Sequence, residues 1–467
     1  QRLTQRICGV CPTSHSTAAA LNLDSAFGIA DKIPDNGRII RNLILGSAHI
    51  ADHILHFYVL AALDYVDIAK VAGYEGTSSV LNSVKQFIER GELGPFFPRY
   101  EGDYRLPEEV DQQMVAHYVE ALAMRRKAQE MLSLFGGRMP HSVAVVPGGV
   151  TEVPTVDKVV SFLWRLNELR DFIDNVYLPD VLALAEVYGD YFAIGKGCGN
   201  LLSYGGYELD GKEPDLTKRE RLFKQGRIST NLKPGEVDPN RITEQLQHSW
   251  YASSTANRNP SQGETEPEEG KDGAYSWIKS PRYNGQVYEV GPLARVLVTY
   301  ARGEPTMKSL VNSVLARFKT SPDALFSVLG RHIARALSTK FVADSMPGWL
   351  LQLKPGEPVY IGYSIPEESQ GMGLVEGARG ALGHWVELKG GKIANYQVVT
   401  PTSWNGSPRD DKNQPGPLEQ AIRGTKIKDE ENPFEIVRIV RSFDPCIACA
   451  VHLITPKGGK LGEFRVS

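Results

Sequence analysis

The chain has 467 residues, of which 42% are hydrophobic and 23% charged, and its formal net charge is −3. This near-neutral balance gives no support for binding to nucleic acid or to an anionic membrane surface. The length alone would allow roughly two or three domains. We identify neither a signal peptide nor an apolar run of transmembrane length in the sequence.

Four of the five cysteines form two C-x-x-C pairs that lie almost a whole chain apart. The first pair and its polar neighbours are Arg6, Cys8, Cys11 and His15, and the second are Asp444, Cys446, Cys449 and His452. Two thiolates on a single turn can share a metal ion, and this distribution favours metal binding over a disulfide framework. We therefore predict one buried metal site that ties both ends of the chain into a single unit.

Cysteine spacing alone leaves the identity of the metal open. A structural zinc ion with four cysteine ligands is one interpretation, but zinc ribbons keep their pairs within roughly a few dozen residues. A chain of this length can bury a large core and does not need a zinc ion to stabilise its fold. A redox pair of the thioredoxin type is another interpretation, and it would not explain two pairs. Polar residues beside the thiolates fit a metal whose surroundings adjust its chemistry.

The sequence between the two cysteine pairs predicts mostly helices. Apolar periodicity and helix-ending signals indicate helices over about 36–67, 77–90, 108–135, 154–188 (interrupted at Pro179), 293–300, 306–319, 322–345 and 417–423. The polar segment 212–273 predicts a long surface excursion with short hairpins, and 375–400, which contains Gly390-Gly391, predicts a β-hairpin. The fold class is therefore α+β and predominantly helical, with a long-helix core and small β-hairpin regions in one interlocked unit.

The full motifs, R-x-C-G-x-C-x-x-x-H and D-P-C-x-x-C-x-x-H, resemble the two signatures of the nickel–iron hydrogenase large subunit. Five stretches between them resemble the same family: NLDSAFG at 22–28, HILHFY at 53–58, MPH at 139–141, EGARGALGHW at 376–385 and PTSWN at 401–405. The resemblance covers essentially the whole chain and is to the respiratory, uptake type. The alternative is a non-catalytic hydrogenase-like scaffold or quinone-site subunit. Such relatives have lost the cysteines that this chain retains.

The resemblance implies a catalytic subunit that oxidises H2 reversibly to protons and electrons by heterolytic cleavage. Cys8 and Cys446 would be terminal ligands of nickel. Cys11 and Cys449 would bridge nickel to an iron ion with two cyanides and one carbon monoxide. Thiolates are soft ligands that suit nickel. Such a site would be buried with an excess of negative charge, so positive or hydrogen-bond-donating groups are expected to face it.

Other residues acquire roles from the same resemblance. Arg379 would lie over the metal pair and donate to one cyanide, while Thr402 would donate to the other. The neighbouring Ala378 stands where the family usually has proline. The proton released from H2 needs a base at short range, and the candidates are Cys446 and the group formed by Arg379, Asp52 and Asp444.

Two histidines are expected to support the site. His15 would donate a hydrogen bond to a bridging sulfur. His452 would ligate a structural Mg2+, together with an N-terminal Glu and a backbone carbonyl near Gln397–Val398. Because the family has a stretch before the first motif that includes this Glu, we expect that an N-terminal part is missing before Gln1.

The remaining expectations concern partners and processing. Cys198 is the one cysteine outside the motifs, and iron–sulfur clusters commonly need about four cysteines each. Electrons would therefore leave through an iron–sulfur small subunit in a heterodimer, which implies a periplasmic or membrane-associated location. Residues 1–452 would form the catalytic domain. Residues 453–467, a flexible tail, would be removed by a maturation endopeptidase after the nickel-insertion machinery has acted.

Overall fold

The computed structural model of the chain describes residues 1–91 and 103–446, and the backbone alone over 449–454 and 460–466. Its helices are α1 (Pro12–Ala26), α2 (Asp35–Leu55), α3 (Ser79–Glu89), α4 (Glu108–Gly136), α5 (Val156–Phe172), α6 (Leu178–Val187), α7 (Pro292–Ala301), α8 (Pro305–Phe318), α9 (Val328–Leu350), α10 (Pro401–Asn405), α11 (Pro417–Ile422) and α12 (Phe434–Phe443). The predicted class, α+β and predominantly helical, is confirmed.

The strands are short except in one sheet. They are β1 (Val145–Val146), β2 (Gly149–Val150), β3 (Asn200–Ser203), β4 (Gly206–Glu208), β5 (Arg221–Phe223), β6 (Gly226–Ser229), β7 (Ile242–Gln245), β8 (Ser280–Tyr283), β9 (Glu368–Gly377), β10 (Gly380–Lys389), β11 (Lys392–Val399), β12 (Cys449–Ile454) and β13 (Lys460–Val466). The pairs that these strands form are antiparallel, and β11, β10 and β9 form a three-stranded sheet in that order.

The helix α2 forms the centre of the helical core and packs against α4 and α9. It continues through a π-helical segment, His56–Ala61, and a 3-10 segment, Ala62–Asp64, which confirms the long helix predicted here. The span Asp35–Asp64 is long and apolar enough to cross a membrane, but 83% of its most apolar window is buried inside the protein. The expectation that no run reaches transmembrane length is thus wrong by length and composition. Burial in the core explains the apolar residues.

The sheet β9-β10-β11 lies against α1, and two glycines of β9 allow that contact. A Cβ atom at Gly371 would lie 2.2 Å from the Asn22 carbonyl oxygen, and one at Gly373 would lie 2.1 Å from that of Ala18. The hairpin predicted over 375–400 is confirmed as β10 and β11, with Gly390 and Gly391 at its turn. The sequence did not predict β9, because glycine is uncommon in strands.

Two other predictions about helices need correction. Pro179 does not interrupt its helix: a π-helical segment, Ile173–Tyr177, precedes it and α6 continues from there. A wider turn in front of a proline can accommodate the ring and the missing N–H. The helix at 417–423 is present as α11 but is not the last one before the second cysteine pair. A further helix, α12, follows it and ends directly at Asp444.

The tail predicted to be flexible is paired in the structure. The backbone of β12 pairs with that of β13 in an antiparallel register that places Cys449 opposite Val466 and His452 opposite Glu463. Lys460–Val466 alternates in part between apolar and polar residues, the pattern that favours a strand. The tail therefore forms a hairpin with the residues that contain the last cysteine.

Candidate metal centre

The first cysteine pair lies at the start of α1. Cys8 follows a 3-10 turn, and Cys11 is the N-cap residue of the helix, with Pro12 in its first turn. The backbone N–H groups of Val10 and Cys11 donate to the Cys8 sulfur at 3.3 and 3.1 Å. Helix N-termini and backbone donors favour the thiolate form of cysteine. The turn therefore presents both sulfurs on one side, ready to bind a cation.

The second pair arrives from the end of α12. Asp444, the residue after the helix, has left-handed backbone angles of φ 54° and ψ 58°, which turn the chain sharply before Pro445. The backbone N–H of Cys446 then donates to the Thr402 hydroxyl oxygen at 3.2 Å. The side chain of Thr402 thus fixes the backbone of Cys446 rather than its sulfur, and its own proton remains available for donation.

Three cysteine sulfurs from the two pairs meet at one point. The Cys8 sulfur lies 3.0 Å from that of Cys446 and 3.0 Å from that of Cys11, and all three lie within 4.8 Å of one another. Hydrogen bonds from Cys11 and then from Cys446 hold the pKa of Cys8 well below its usual range. The side chains of Cys449 and His452 lie outside the described residues.

Arg379 reaches the cysteines from the tight turn between β9 and β10, where Gly377 pairs with Gly380. The guanidinium is 6% exposed, and its Nε donates to Asp444 Oδ1 at 3.1 Å. Its Nη1 lies 3.6 Å from Asp52 Oδ2, and neither this nitrogen nor Asp444 Oδ2 has a hydrogen-bond partner in the described structure. Burial lowers the pKa of Arg379, but Asp444 and Asp52 raise it by more, so the side chain stays cationic.

Asp52 faces Arg379 from α2 and is 4% exposed. Burial raises its pKa to about 7, although the nearby Arg379 lowers it. A carboxyl group with such a pKa can gain or lose a proton near neutral pH. The structure therefore brings together the predicted group of Arg379, Asp52 and Asp444, beside the cysteines.

His15, the next residue of the predicted site, contacts another histidine. The Nδ1 atom of His15 lies 3.1 Å from His384 Nε2, and His384 Nδ1 lies 2.8 Å from the Tyr396 hydroxyl. No hydrogen bond joins His15 to a cysteine sulfur among the residues that the structure describes. Burial lowers the pKa of His15 to about 4. Both histidines are therefore neutral at pH 7, and β10 and β11 hold the ring of His15 in place.

Comparison with known proteins decides the family. The sequence profile described as "Nickel-dependent hydrogenase" matches residues 1–452. The chain belongs to the nickel-dependent hydrogenase family. It is 38% identical to the periplasmic [NiFeSe] hydrogenase large subunit of Desulfomicrobium baculatum, over 98% of this chain and 86% of that one. It is 34% identical to the quinone-reactive Ni/Fe-hydrogenase large chain of Wolinella succinogenes, over 99% and 88% of the two chains.

Solved hydrogenase structures share the fold. The Ni-Fe-Se hydrogenase of Desulfovibrio vulgaris Hildenborough in its reduced state matches with a TM-score of 0.84 and 40% identity, over 95% of this chain and 88% of that one. This chain is accordingly the large, catalytic subunit of a hydrogenase, an enzyme that oxidises H2 at a centre of nickel and iron. Each of its two motifs has both cysteines, so all four cysteine positions are occupied.

A cavity of about 440 Å3 in this hydrogenase adjoins the cysteines and Arg379. Its lining also includes residues from the polar segment 212–273 and from the sequence just after it: Glu244, Tyr251, Thr265, Trp277, Ile278 and Lys279. These residues could not be predicted from the sequence, because none has a motif or a spacing that indicates a ligand. His384 lies within the stretch 376–385 that resembles the family, but nothing in that stretch indicates its contact with His15. Converging cysteine sulfurs fit a metal centre, and a buried guanidinium N–H without a hydrogen-bond partner among the described residues fits anionic ligands on that centre.

Proposed function

We propose that four cysteines of this hydrogenase hold a nickel–iron pair, with Cys8 and Cys446 terminal on nickel and Cys11 and Cys449 shared with iron. The iron would have two cyanide ligands and one carbon monoxide. The observation that supports this proposal most is the convergence of three sulfurs from both ends of the chain within 4.8 Å. When bound, the metal pair supplies the binding and heterolytic cleavage of H2.

The role of Arg379 follows from its free N–H group. Nη1 is buried without a hydrogen-bond partner among the described residues, whereas Nε is held by Asp444. Buried donors normally find an acceptor, and a bond to an anion is stronger than one to a neutral group. We assign the Nη1 group to one cyanide and the free proton of the Thr402 hydroxyl to the other.

Proton transfer requires a group that can change its protonation near the reacting atoms. The candidates are the thiolate of Cys446 and the carboxylates of Asp52 and Asp444. The pKa of Asp52, about 7, suits a group that accepts and then releases a proton. Arg379 stays cationic, so it fixes the two carboxylates and balances their charge rather than passing the proton itself.

A structural Mg2+ near the end of the catalytic domain would be bound by His452 and by a backbone carbonyl near Gln397–Val398. Both Gln397 and Val398 line the cavity beside the cysteines. His15, whose Nδ1 is engaged by His384, would present its other nitrogen toward a bridging sulfur. The pairing with His384 fixes the ring, as outer-shell partners do in metal sites.

The electrons must leave through a partner. Cys198 is the one cysteine outside the two motifs, and its thiol donates to the Asn200 carbonyl at 3.3 Å. One cysteine cannot bind an iron–sulfur cluster that commonly needs about four. The matched relatives are named large subunits or large chains. We therefore infer a heterodimer with an iron–sulfur small subunit, in the periplasm or attached to a membrane through that subunit.

We infer that the tail, 453–467, is removed during maturation. Residues 460–466 pair with 449–454, so the tail occupies the backbone hydrogen-bonding groups of the strand that contains Cys449. Cleavage between His452 and Leu453 by a dedicated endopeptidase, after nickel insertion, would end this pairing. Cys449 could then join the other three cysteines.

One experiment tests the central proposal. The enzyme is purified with its partner from its native host, its nickel and iron are quantified, and infrared spectra are recorded in the region of metal-bound CO and CN. We expect one nickel and one iron at the large-subunit site, bands from one CO and two CN ligands, and H2 uptake with an artificial electron acceptor. Zinc in place of nickel would instead identify a structural zinc site, and a protein without these bands and without uptake would identify a non-catalytic scaffold subunit.

A further inference from the structure

Two hydrogen bonds to one backbone carbonyl oxygen hold the turn that places Arg379. Ala378 precedes Arg379 at this turn and is 3% exposed. Its carbonyl oxygen accepts two hydrogen bonds, from His53 Nε2 at 3.0 Å and from Arg295 Nη2 at 2.5 Å. A carbonyl oxygen has two lone pairs, so both are satisfied. Donors from α2 and α7 thus hold the peptide group next to Arg379 from two sides.

The bond from His53 requires one particular tautomer. Burial, with nearby positive groups, lowers the pKa of His53 well below its usual value, so the ring is neutral. Because a carbonyl only accepts, Nε2 must have the proton and Nδ1 must accept one. The hydroxyl oxygen of Thr339 lies 2.7 Å from Nδ1 and is fully buried. The Thr339 hydroxyl also lies 2.8 Å from the Arg335 carbonyl oxygen, one turn earlier on α9, and it has only one proton to donate. Inside the helix this carbonyl already accepts a backbone N–H, whereas Nδ1 of His53 has no other hydrogen-bond partner among the described residues. Thr339 therefore donates to His53, and its hydroxyl favours the tautomer that binds Ala378.

Arg295 faces Glu376, which lies two residues before Ala378 on β9, in a buried ion pair. The Nε atom of Arg295 lies 3.5 Å from Glu376 Oε2, and both side chains are fully buried. The other oxygen, Oε1, accepts from the backbone N–H of Tyr204 at 2.8 Å and from the Ser203 hydroxyl at 3.1 Å. The guanidinium therefore connects the strand that leads into the turn with the carbonyl at its tip.

The contacts of Arg379 itself leave its position poorly determined. They comprise one hydrogen bond to Asp444 and a 3.6 Å ion pair with Asp52. The backbone must therefore supply much of the precision with which the guanidinium is placed. A misplacement of about 1 Å at a reacting centre can cost roughly 100-fold in rate, even when its cause lies outside the site.

We propose that Thr339, His53 and Arg295 are positioning residues for H2 oxidation. They act through the Ala378 carbonyl to hold Arg379 in place beside the cysteines. This inference rests on the proposed role of Arg379 at the metal pair. None of the three touches a cysteine in the described structure, and each acts through the hydrogen bonds given above.

The test replaces one hydroxyl group with a methyl group of the same shape. Thr339→Val removes the donor to His53 Nδ1, and the ring is then free to adopt the other tautomer. We expect turnover per nickel to fall roughly tenfold, as for other outer-shell partners. The KM for H2 and the nickel content should stay unchanged, and a CN infrared band should shift. Thr339→Ser keeps the hydroxyl and should restore the rate and the band position.

A matched control separates positioning from simple loss of stability. The Thr255 hydroxyl is buried and donates to the Ala252 carbonyl at 2.9 Å, away from the Ala378 turn. Thr255→Val should lower the melting temperature with no effect on turnover per nickel or on the infrared bands. Equal losses of turnover in both valine variants, or an unchanged rate and band in Thr339→Val, would overturn the proposal.

Crystal structures keep the test decisive if Thr339→Val fails to acquire nickel. The metal-free variant should show the Ala378 peptide rotated and the Arg379 guanidinium moved from its place between Asp444 and Asp52. The same positions as in the parent protein would overturn the proposal. A parent enzyme without CO and CN bands would contradict the proposed function instead, and the crystallographic comparison would still report on positioning.

Discussion

Replacing Arg379 with lysine tests whether the site needs the shape of a guanidinium or only its charge. Arg379 extends one nitrogen toward Asp444, at 3.1 Å, and another toward Asp52, at 3.6 Å. A lysine ammonium is a single compact charge without this planar fork, and it moves its proton more readily. The substituted side chain can therefore contact one carboxylate closely, but it loses the ion pair with the other carboxylate and the N–H group that we assign to a cyanide.

The size of the effect follows from the hydrogen bond that is lost. A hydrogen bond to a charged group contributes about 1.5–3 kcal/mol, and about 1.4 kcal/mol corresponds to a tenfold change in rate. One such bond lost in the transition state lowers turnover by a factor of roughly 10 to 150. Since Arg379 also orders the proton-accepting carboxylates, we expect a loss of about 100-fold with the metal site intact.

The assay is H2 oxidation with an artificial electron acceptor, expressed per nickel atom. Nickel and iron contents and the infrared bands establish that the site has assembled. Arg282 forms a comparable buried ion pair with Asp410, at 2.7 Å, and does not line the cavity at the cysteines. Arg282→Lys should destabilise the fold while turnover per nickel stays normal. A normal rate in Arg379→Lys would show that Arg379 only balances charge.

Three further predictions have defined outcomes. Cys446→Ser should abolish nickel binding and H2 turnover while the metal-free chain stays soluble, since a hydroxyl does not replace a soft thiolate; wild-type activity would remove Cys446 from the site. In the metal-free chain the pKa of Asp52 is about 7, against about 3.9 when unfolded, so folded protein retains a proton that unfolded protein has lost and stability falls as pH rises between these values. Asp52→Asn should remove that fall. The free energy of unfolding of the variant, minus that of the parent protein, should therefore increase by a few kcal/mol from pH 5 to pH 8. A difference that does not change with pH would contradict this prediction. Intact-mass measurement of active enzyme from its native host should find the chain ending at His452, and an active form that retains residues 453–467 would refute the maturation proposal.

The metal-binding turns and the long helices could be predicted because each has a pattern in the local sequence. The apolar periodicity of α2 and the glycine pair after β10 need no knowledge of distant residues. The approach of Arg379 to Asp52 and Asp444 also agrees with the family resemblance.

The helix α12 shows why other elements could not be predicted. Arg438 on this helix is fully buried, where it pairs with Asp103 and stacks on Tyr65 at 4.3 Å. A buried arginine is compatible with the core only when distant partners satisfy it. The sequence of α12 does not reveal these partners. In the same way, the neutral pair of His15 and His384 depends on a contact between α1 and β10, which only the folded chain supplies.

The meeting of Cys8 with Cys446 has a consequence in polymer terms. These residues are 438 positions apart, so a metal bound to both closes nearly the whole chain into a ring. By the relation used for disulfide cross-links, closing a ring of this size removes about 6 kcal/mol of conformational entropy from the unfolded chain. A metal bound to both cysteines would therefore act as a cross-link. Neither end of the ring could fray while a metal held both cysteines, and the loaded protein should melt at a higher temperature than the metal-free chain.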